Sequence, residues 1–167
     1  MPELRFVADV FSPHHQKILK YSGNHPSKIL KIIPLLVKDS FRITSTKFFE
    51  DEIKWDKSAE AIEFYGQWRG RDDKDGRTSI WIKVKAIGKQ NSKDKKGWVT
   101  IYIHPYMITK LPYSNVFDKF LAKTYSFLFY GNQRKEYIKQ ELIFLKRFEE
   151  RLKKELGISW LNGFWLA

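Results

Sequence analysis

The chain has 167 residues, with 31 Lys and Arg against 19 Asp and Glu, and so a formal net charge of +12. Its length suits one domain, and a hydrophobic share of 43 % is too high for a disordered chain. The absence of cysteine excludes a disulfide framework, a cysteine-ligated zinc or iron–sulfur site and a thiol nucleophile.

Residues 4–10 alternate and read as a strand, and residues 16–21 as a second short one. Asn24-His25-Pro26-Ser27 is a helix-start cluster. Behind it Ile29, Leu30, Ile32, Ile33, Leu35, Leu36 and Val37 carry a helical pattern that Pro34 interrupts. A proline there removes a backbone donor and clashes with the preceding turn, so two short helices or one kinked helix are expected, broken near Ile33.

Between residues 43 and 108 the period changes to two. Ile43, Phe49, Ile53 and Trp55 begin the series. Ile62, Phe64, Gly66 and Trp68 follow, then Ile80, Ile82, Val84 and Ala86, then Val99, Ile101, Ile103 and Met107. Four strands with one apolar face each describe an antiparallel meander. Its turns fall at residues 56–59, at residues 72–76 with an Asp75-Gly76 hairpin step, and at the lysine-rich residues 88–97. Pro112 ends the sheet and Ser114 is the expected cap of the next helix. Val116, Phe117, Phe120, Leu121, Phe127 and Leu128, then Tyr137, Ile138, Leu142, Leu145, Phe148, Leu152 and Leu156 keep helical spacing on either side of Gly131-Asn132. One long or broken helix is expected, closed by Gly157, with its apolar stripe covering the sheet. The organisation is one α+β domain over residues 1–156 and an aromatic tail over residues 157–167.

The order of strand, two short helices, antiparallel meander and long C-terminal helix resembles the helix-grip arrangement of the START and Bet v 1-like superfamily. The resemblance covers residues 4–156 and rests on element order. It implies a curved sheet wrapped around the long helix, with an apolar ligand in the gap. That superfamily spans carriers, enzymes and protein-binding modules, so the fold alone does not fix a function.

If the apolar series faces the helix, the other sheet face shows Tyr65, Arg69, Trp81, Lys83, Lys85, Trp98, Tyr102 and Tyr106. Rings interleaved with cations suit single-stranded nucleic acid, because bases stack on the rings while Lys and Arg hold the backbone. Lys89, Lys93, Lys95 and Lys96 lie in the adjoining hairpin and extend this set toward phosphate. Arg69-Gly70-Arg71 presents two arginines beside a glycine; the plainer reading is charge compensation by Asp72, Asp73 and Asp75. The plainer reading of the whole face is cross-strand aromatic pairing with solvated lysines, and lysine excess also follows from composition or heat adaptation.

The remaining chemistry-bearing residues are sparse. Glu50 and Glu52 share a strand face that excludes Asp51, with no acid–base partner nearby in sequence. His14, His15, His25 and His104 lack the spacing of a metalloprotease helix, and no nucleophile elbow, phosphate loop or dinucleotide fingerprint is present. No metal or cofactor is implied and the balance leans away from an enzyme. The expectation is a basic binding module for RNA or a ribonucleoprotein. The alternative is a carrier of an apolar or amphipathic small molecule, its cavity lined by Phe64, Trp68, Phe117, Phe120, Leu121 and Phe127. The run Phe117, Phe120, Tyr125, Phe127, Phe129 and Tyr130 otherwise reads as core. Trp160, Phe164 and Trp165 fit a tail that folds back, self-associates or lies at a membrane interface. No run approaches the ~20 apolar residues of a membrane span. The start Met-Pro-Glu-Leu-Arg-Phe lacks a signal-peptide pattern, so a soluble, cytoplasmic location is the expectation.

Overall fold

A computed structural model describes residues 2–57, 60–128 and 130–157. In chain order these form strands β1 (Glu3–Asp9) and β2 (Lys17–Asn24), helix α1 (Ile29–Ser40) and strands β3 (Phe48–Asp56), β4 (Ala61–Asp73), β5 (Thr78–Asn91) and β6 (Lys96–Pro112). Helices α2 (Val116–Leu128) and α3 (Tyr130–Glu155) follow. The fold is α+β. Its six antiparallel strands make one open sheet ordered β1-β6-β5-β4-β3, with β2 also on β6. β1 lies along residues 106–112 of β6 and β2 along residues 96–103, so the two form one sheet edge interrupted by residues 10–16.

The period-two pattern of β4, β5 and β6 gives the sheet one apolar face. Trp68, Ile82, Val84, Ala86, Ile101, Ile103 and Met107 pack there against Ile29, Ile33 and Val37 of α1 and Leu145, Phe148 and Leu152 of α3. Each fully buried aliphatic side chain contributes about 1.5–3 kcal/mol. Trp68 fits because its neighbour along β4 on that face is Gly66, while Gly70 makes room for Ile43. A Cβ on Gly66 would lie 2.2 Å from the Trp68 ring, and one on Gly70 would lie 2.5 Å from Ile43. The Trp68 indole N–H donates to Glu50 at 3.2 Å.

Pro34 does not divide α1. A 3-10 turn at Pro26–Lys28 runs directly into a single 12-residue helix that contains it. Buried Ile29, Leu30 and Ile33 anchor the helix before the proline, and Leu36 and Val37 anchor it after. That packing offsets one missing backbone hydrogen bond. β3 begins at Phe48 and not near Ile43, because Ser45–Lys47 form a 3-10 turn. β5 and β6 run further into the third hairpin than their alternation shows, so Lys89 and Lys96 are strand residues. α2 is capped by Asn115, one residue after the expected Ser114: the Asn115 side-chain oxygen accepts the Asp118 N–H at 2.8 Å. α3 starts at Tyr130 and continues through Gly131, and Gly157 closes it with φ of 67°.

The second hairpin holds the start of α3. Asp75 accepts the backbone N–H groups of Arg77 and Thr78, each at 2.7 Å. Its other oxygen accepts the Tyr130 and Tyr137 hydroxyls. Burial works against the Asp75 charge, but these bonds outweigh it and keep the carboxyl below its ordinary pKa. Tyr130 is pushed up to about 12 by burial and by the Asp75 carboxylate.

Further along α3, Glu141 is fully buried. Lys74 Nζ lies 3.3 Å from it, without hydrogen-bond alignment, and is shared with Asp72 at 2.5 Å and Gln140 at 3.2 Å. Burial raises the Glu141 pKa to about 7.

The stripe of α2 does not cover the sheet, since α1 and α3 already occupy that face. Phe117, Phe120, Leu121 and Phe127 are exposed on α2, whose buried contact is made by Ser126. The reading of this run as core is therefore corrected for Phe117, Phe120, Tyr125 and Phe127, whereas Tyr130 is buried and Phe129 lies outside the described residues. No helix among the described residues is long and apolar enough to cross a membrane. The aromatic tail, with Trp160, Phe164 and Trp165, lies outside the described residues.

Candidate functional site

The sheet face turned away from α1 and α3 carries side chains in cross-strand rows set by the register. Val7, Ile108, Ser79 and Asp73 lie across from one another. The next row is Asp9, Tyr106, Trp81 and Arg71, followed by His104, Lys83, Arg69 and Phe49. Ile18, Tyr102, Lys85, Gln67 and Glu52 come next, and Ser22, Trp98, Lys89 and Glu63 lie four residues further along. Consecutive rows are two residues apart, about 7 Å at ordinary strand rise.

Rings and cations are in direct contact on this face. Phe49 and Trp81 stack with centroids 6.2 Å apart. The Arg69 guanidinium lies 5.8 Å from the Phe49 ring and 5.9 Å from Trp81, and Arg71 lies 5.9 Å from Trp81 on its own account. Lys85 Nζ sits 4.8 Å above Tyr102. Such contacts hold the cations over the rings at ~0.5–1 kcal/mol each when exposed.

The local geometry behind this begins with a bulge in β3. The register shifts between Glu50 and Glu52, so one extra residue enters the strand at Asp51. Glu50 then faces Trp68 on the covered side while Glu52 stands opposite Gln67 on the open side, which corrects the expectation that Glu50 and Glu52 share a face. Asp51 accepts from Arg69 Nε at 2.7 Å, from its Nη2 at 2.8 Å and from Gln67 at 3.2 Å. The hydrogen bond from Arg69 is the main reason its carboxyl sits below the ordinary value, against the effect of burial. Arg71 bonds Asp73 at 2.6 Å, so compensation by the turn acids holds for Arg71 and not for Arg69. Asp9 bridges two histidines: His104 Nε2 is 2.9 Å from one oxygen and His15 Nδ1 is 2.6 Å from the other.

Of the expected nucleic-acid set, Arg69, Arg71, Trp81, Lys83, Lys85, Lys89, Trp98 and Tyr102 stand on this one face. Lys83 and Lys85 form no salt bridge among the described residues and line a hollow of about 150 Å³ with Tyr102, His104, Gln16 and Gln67. Lys89 is paired with Glu63 at 3.0 Å. Lys96 continues the open face at the end of β6, while Lys93 and Lys95 sit in the turn. Lys95 has a positive φ of 60°, donates to the Ser92 carbonyl and accepts the His25 N–H through its own carbonyl, so it shapes the turn. No protein-family model matches this chain, and no curated protein matches it.

The six residues of the carrier alternative are not brought around one cavity. Phe64 and Trp68 are packed in the core, and Phe117, Phe120, Leu121 and Phe127 are exposed on α2. What the sequence reading missed is the far end of the open face. Arg5, Arg77 and Lys110 join Arg69 and Arg71 there in a cleft of about 340 Å³, with Trp81, Tyr106 and Ser79. Lys110 is paired with Glu3 at 3.0 Å, whereas Arg5 and Arg77 have no acidic partner among the described residues. The alternation of Glu3, Arg5, Val7 and Asp9 was the available signal. Only the pairing of β1 with β6 turns it into a position.

Proposed function

We propose that the protein is a non-enzymatic binding module for single-stranded RNA, held on the open sheet face of a helix-grip-like fold. The observation that carries this reading is the sorting of the two faces. The apolar face is filled by α1 and α3, while the other is uncovered among the described residues and carries rings with cations lying over them. Bases stack on Trp81, Tyr102 and Trp98, and Lys83, Lys85, Lys93 and Lys96 neutralise phosphates. The net charge of +12 adds long-range attraction for a polyanion.

Stacking and phosphate contacts separate experimentally. Replacing Tyr102 by alanine is expected to weaken binding of a labelled single-stranded RNA by ~1–3 kcal/mol while leaving the slope of log affinity against log salt unchanged. Fluorescence anisotropy at several salt concentrations measures both. Unchanged affinity in Tyr102→Ala and in Trp81→Ala alike removes the rings from the account.

A further inference from the structure

We infer that the arginine cleft at the end of the open face receives the phosphorylated end of the RNA strand: a terminal phosphate monoester, with the neighbouring base against Trp81. This deepens the RNA reading and rests on it. β6 leaves the sheet at Pro112 and β1 begins at Glu3, so the pair Arg5 and Lys110 belongs to the last cross-strand positions of this edge. Beyond them the surface changes character. A second groove next to the cleft is lined by Arg77, Leu111, Pro112, Leu121, Ala122 and Tyr125, and past it Phe117 and Phe120 stand exposed on α2. Beyond Arg77 the lining of that groove offers a continuing phosphodiester chain no cation, so a strand laid on the face ends at the cleft.

Two cations at this end are left over once its ion pairs are counted, since Asp51 holds Arg69, Asp73 holds Arg71 and Glu3 holds Lys110. Arg5, Arg69, Arg71, Arg77 and Lys110 line the cleft against Asp73 and Asp75. Both acids are already engaged: Asp73 by Lys47 and Arg71, Asp75 by Tyr130, Tyr137 and two backbone N–H groups. Arg5 and Arg77 therefore face the cleft with no carboxylate of their own among the described residues. An internal phosphodiester carries one charge. A terminal monoester carries up to two, with a second pKa of about 6, and offers three oxygens to forked guanidinium donors. The volume of about 340 Å³ is at the lower end of the range for small-ligand sites and suits a single end unit. The Trp81 ring at the cleft wall stacks on Phe49 and has the Arg69 and Arg71 guanidinium groups 5.9 Å from its centre, so the end base packs against this cluster of ring and guanidinium groups beside the anion site.

The test compares one RNA sequence carrying a 5′-phosphate, a 3′-phosphate or hydroxyls at both ends, at fixed salt and at pH 7.5. One phosphorylated form is expected to bind about tenfold or more tightly than the hydroxyl form, the effect of one added charge-assisted hydrogen bond. Arg5→Gln combined with Arg77→Gln is expected to weaken the phosphorylated form about tenfold more than the hydroxyl form, so that the two then bind alike. Both side chains are exposed, so the variant keeps its melting temperature. Equal affinity for all three forms, with salt-dependent binding intact, overturns the end-recognition inference and leaves the RNA reading standing. A preference that survives in the double variant also overturns it. No binding of any form overturns both.

Discussion

Changing Lys83, Lys85, Lys93 and Lys96 together to glutamate is expected to reduce affinity for single-stranded RNA by at least about 100-fold at low salt. The choice of residues follows from their surroundings. None of the four forms a salt bridge among the described residues, so their reversal breaks no ion pair of the fold. Lys89 is left alone because Glu63 holds it, and Lys95 because its backbone and ammonium group shape the turn. Each phosphate no longer neutralised reduces the slope of log affinity against log salt by ~0.7 for a single strand, so four such phosphates remove about 2.8. The reversed charges add repulsion on top of that loss. Anisotropy titration measures the affinity, and a thermal melt confirms that the variant is folded. Affinity within about twofold of the unaltered protein removes the lysines from the binding face.

The second large effect concerns stability and pH. Glu141 is fully buried, and its carboxyl titrates at about 7 in the fold against an ordinary value of 4.5. The groups facing it are Lys74, which attracts its charge, and Asp72, which opposes it. In the window between these two pH values the folded chain holds a proton that the unfolded chain has released. Stability therefore falls as pH rises from about 4.5 to about 7 and stays low above that. At 1.36 kcal/mol per pH unit the loss from this group is up to about 3 kcal/mol. Glu141→Gln keeps the shape without the charge, so it is expected to be more stable than the unaltered protein at pH 8 and to lack this fall. Urea melts between pH 4 and pH 8 measure it. A variant less stable at pH 8 would show that the Lys74–Glu141 attraction outweighs burial.

The two effects also show which features were legible in the sequence. The covered face was readable because β4, β5 and β6 repeat at period two without a break, and the resulting face assignment put Trp81, Lys83, Lys85 and Tyr102 together. β3 was misread at one point because a bulge moves every later residue to the opposite face, and nothing in Glu50-Asp51-Glu52 marks the inserted residue. The arginine cleft was hidden for a different reason. Arg5 and Lys110 are more than a hundred positions apart, and their approach depends on β1 pairing with the last strand. The helix stripes misled where burial depends on what else is nearby: α2 has the spacing of a core helix, yet α1 and α3 fill the apolar sheet face. Pro34 misled in the opposite sense, since packing on both sides of it keeps α1 whole.

The most direct measurement is binding of a labelled single-stranded RNA by the unaltered protein across a salt series. The account predicts a complex at low salt whose log affinity falls linearly with log salt, by ~0.7 for each phosphate held. It also predicts that a residual affinity from the stacked rings persists when the charges are screened. A protein that leaves the RNA free even at low salt contradicts the account, and its cations are then surface charge without a nucleic-acid partner.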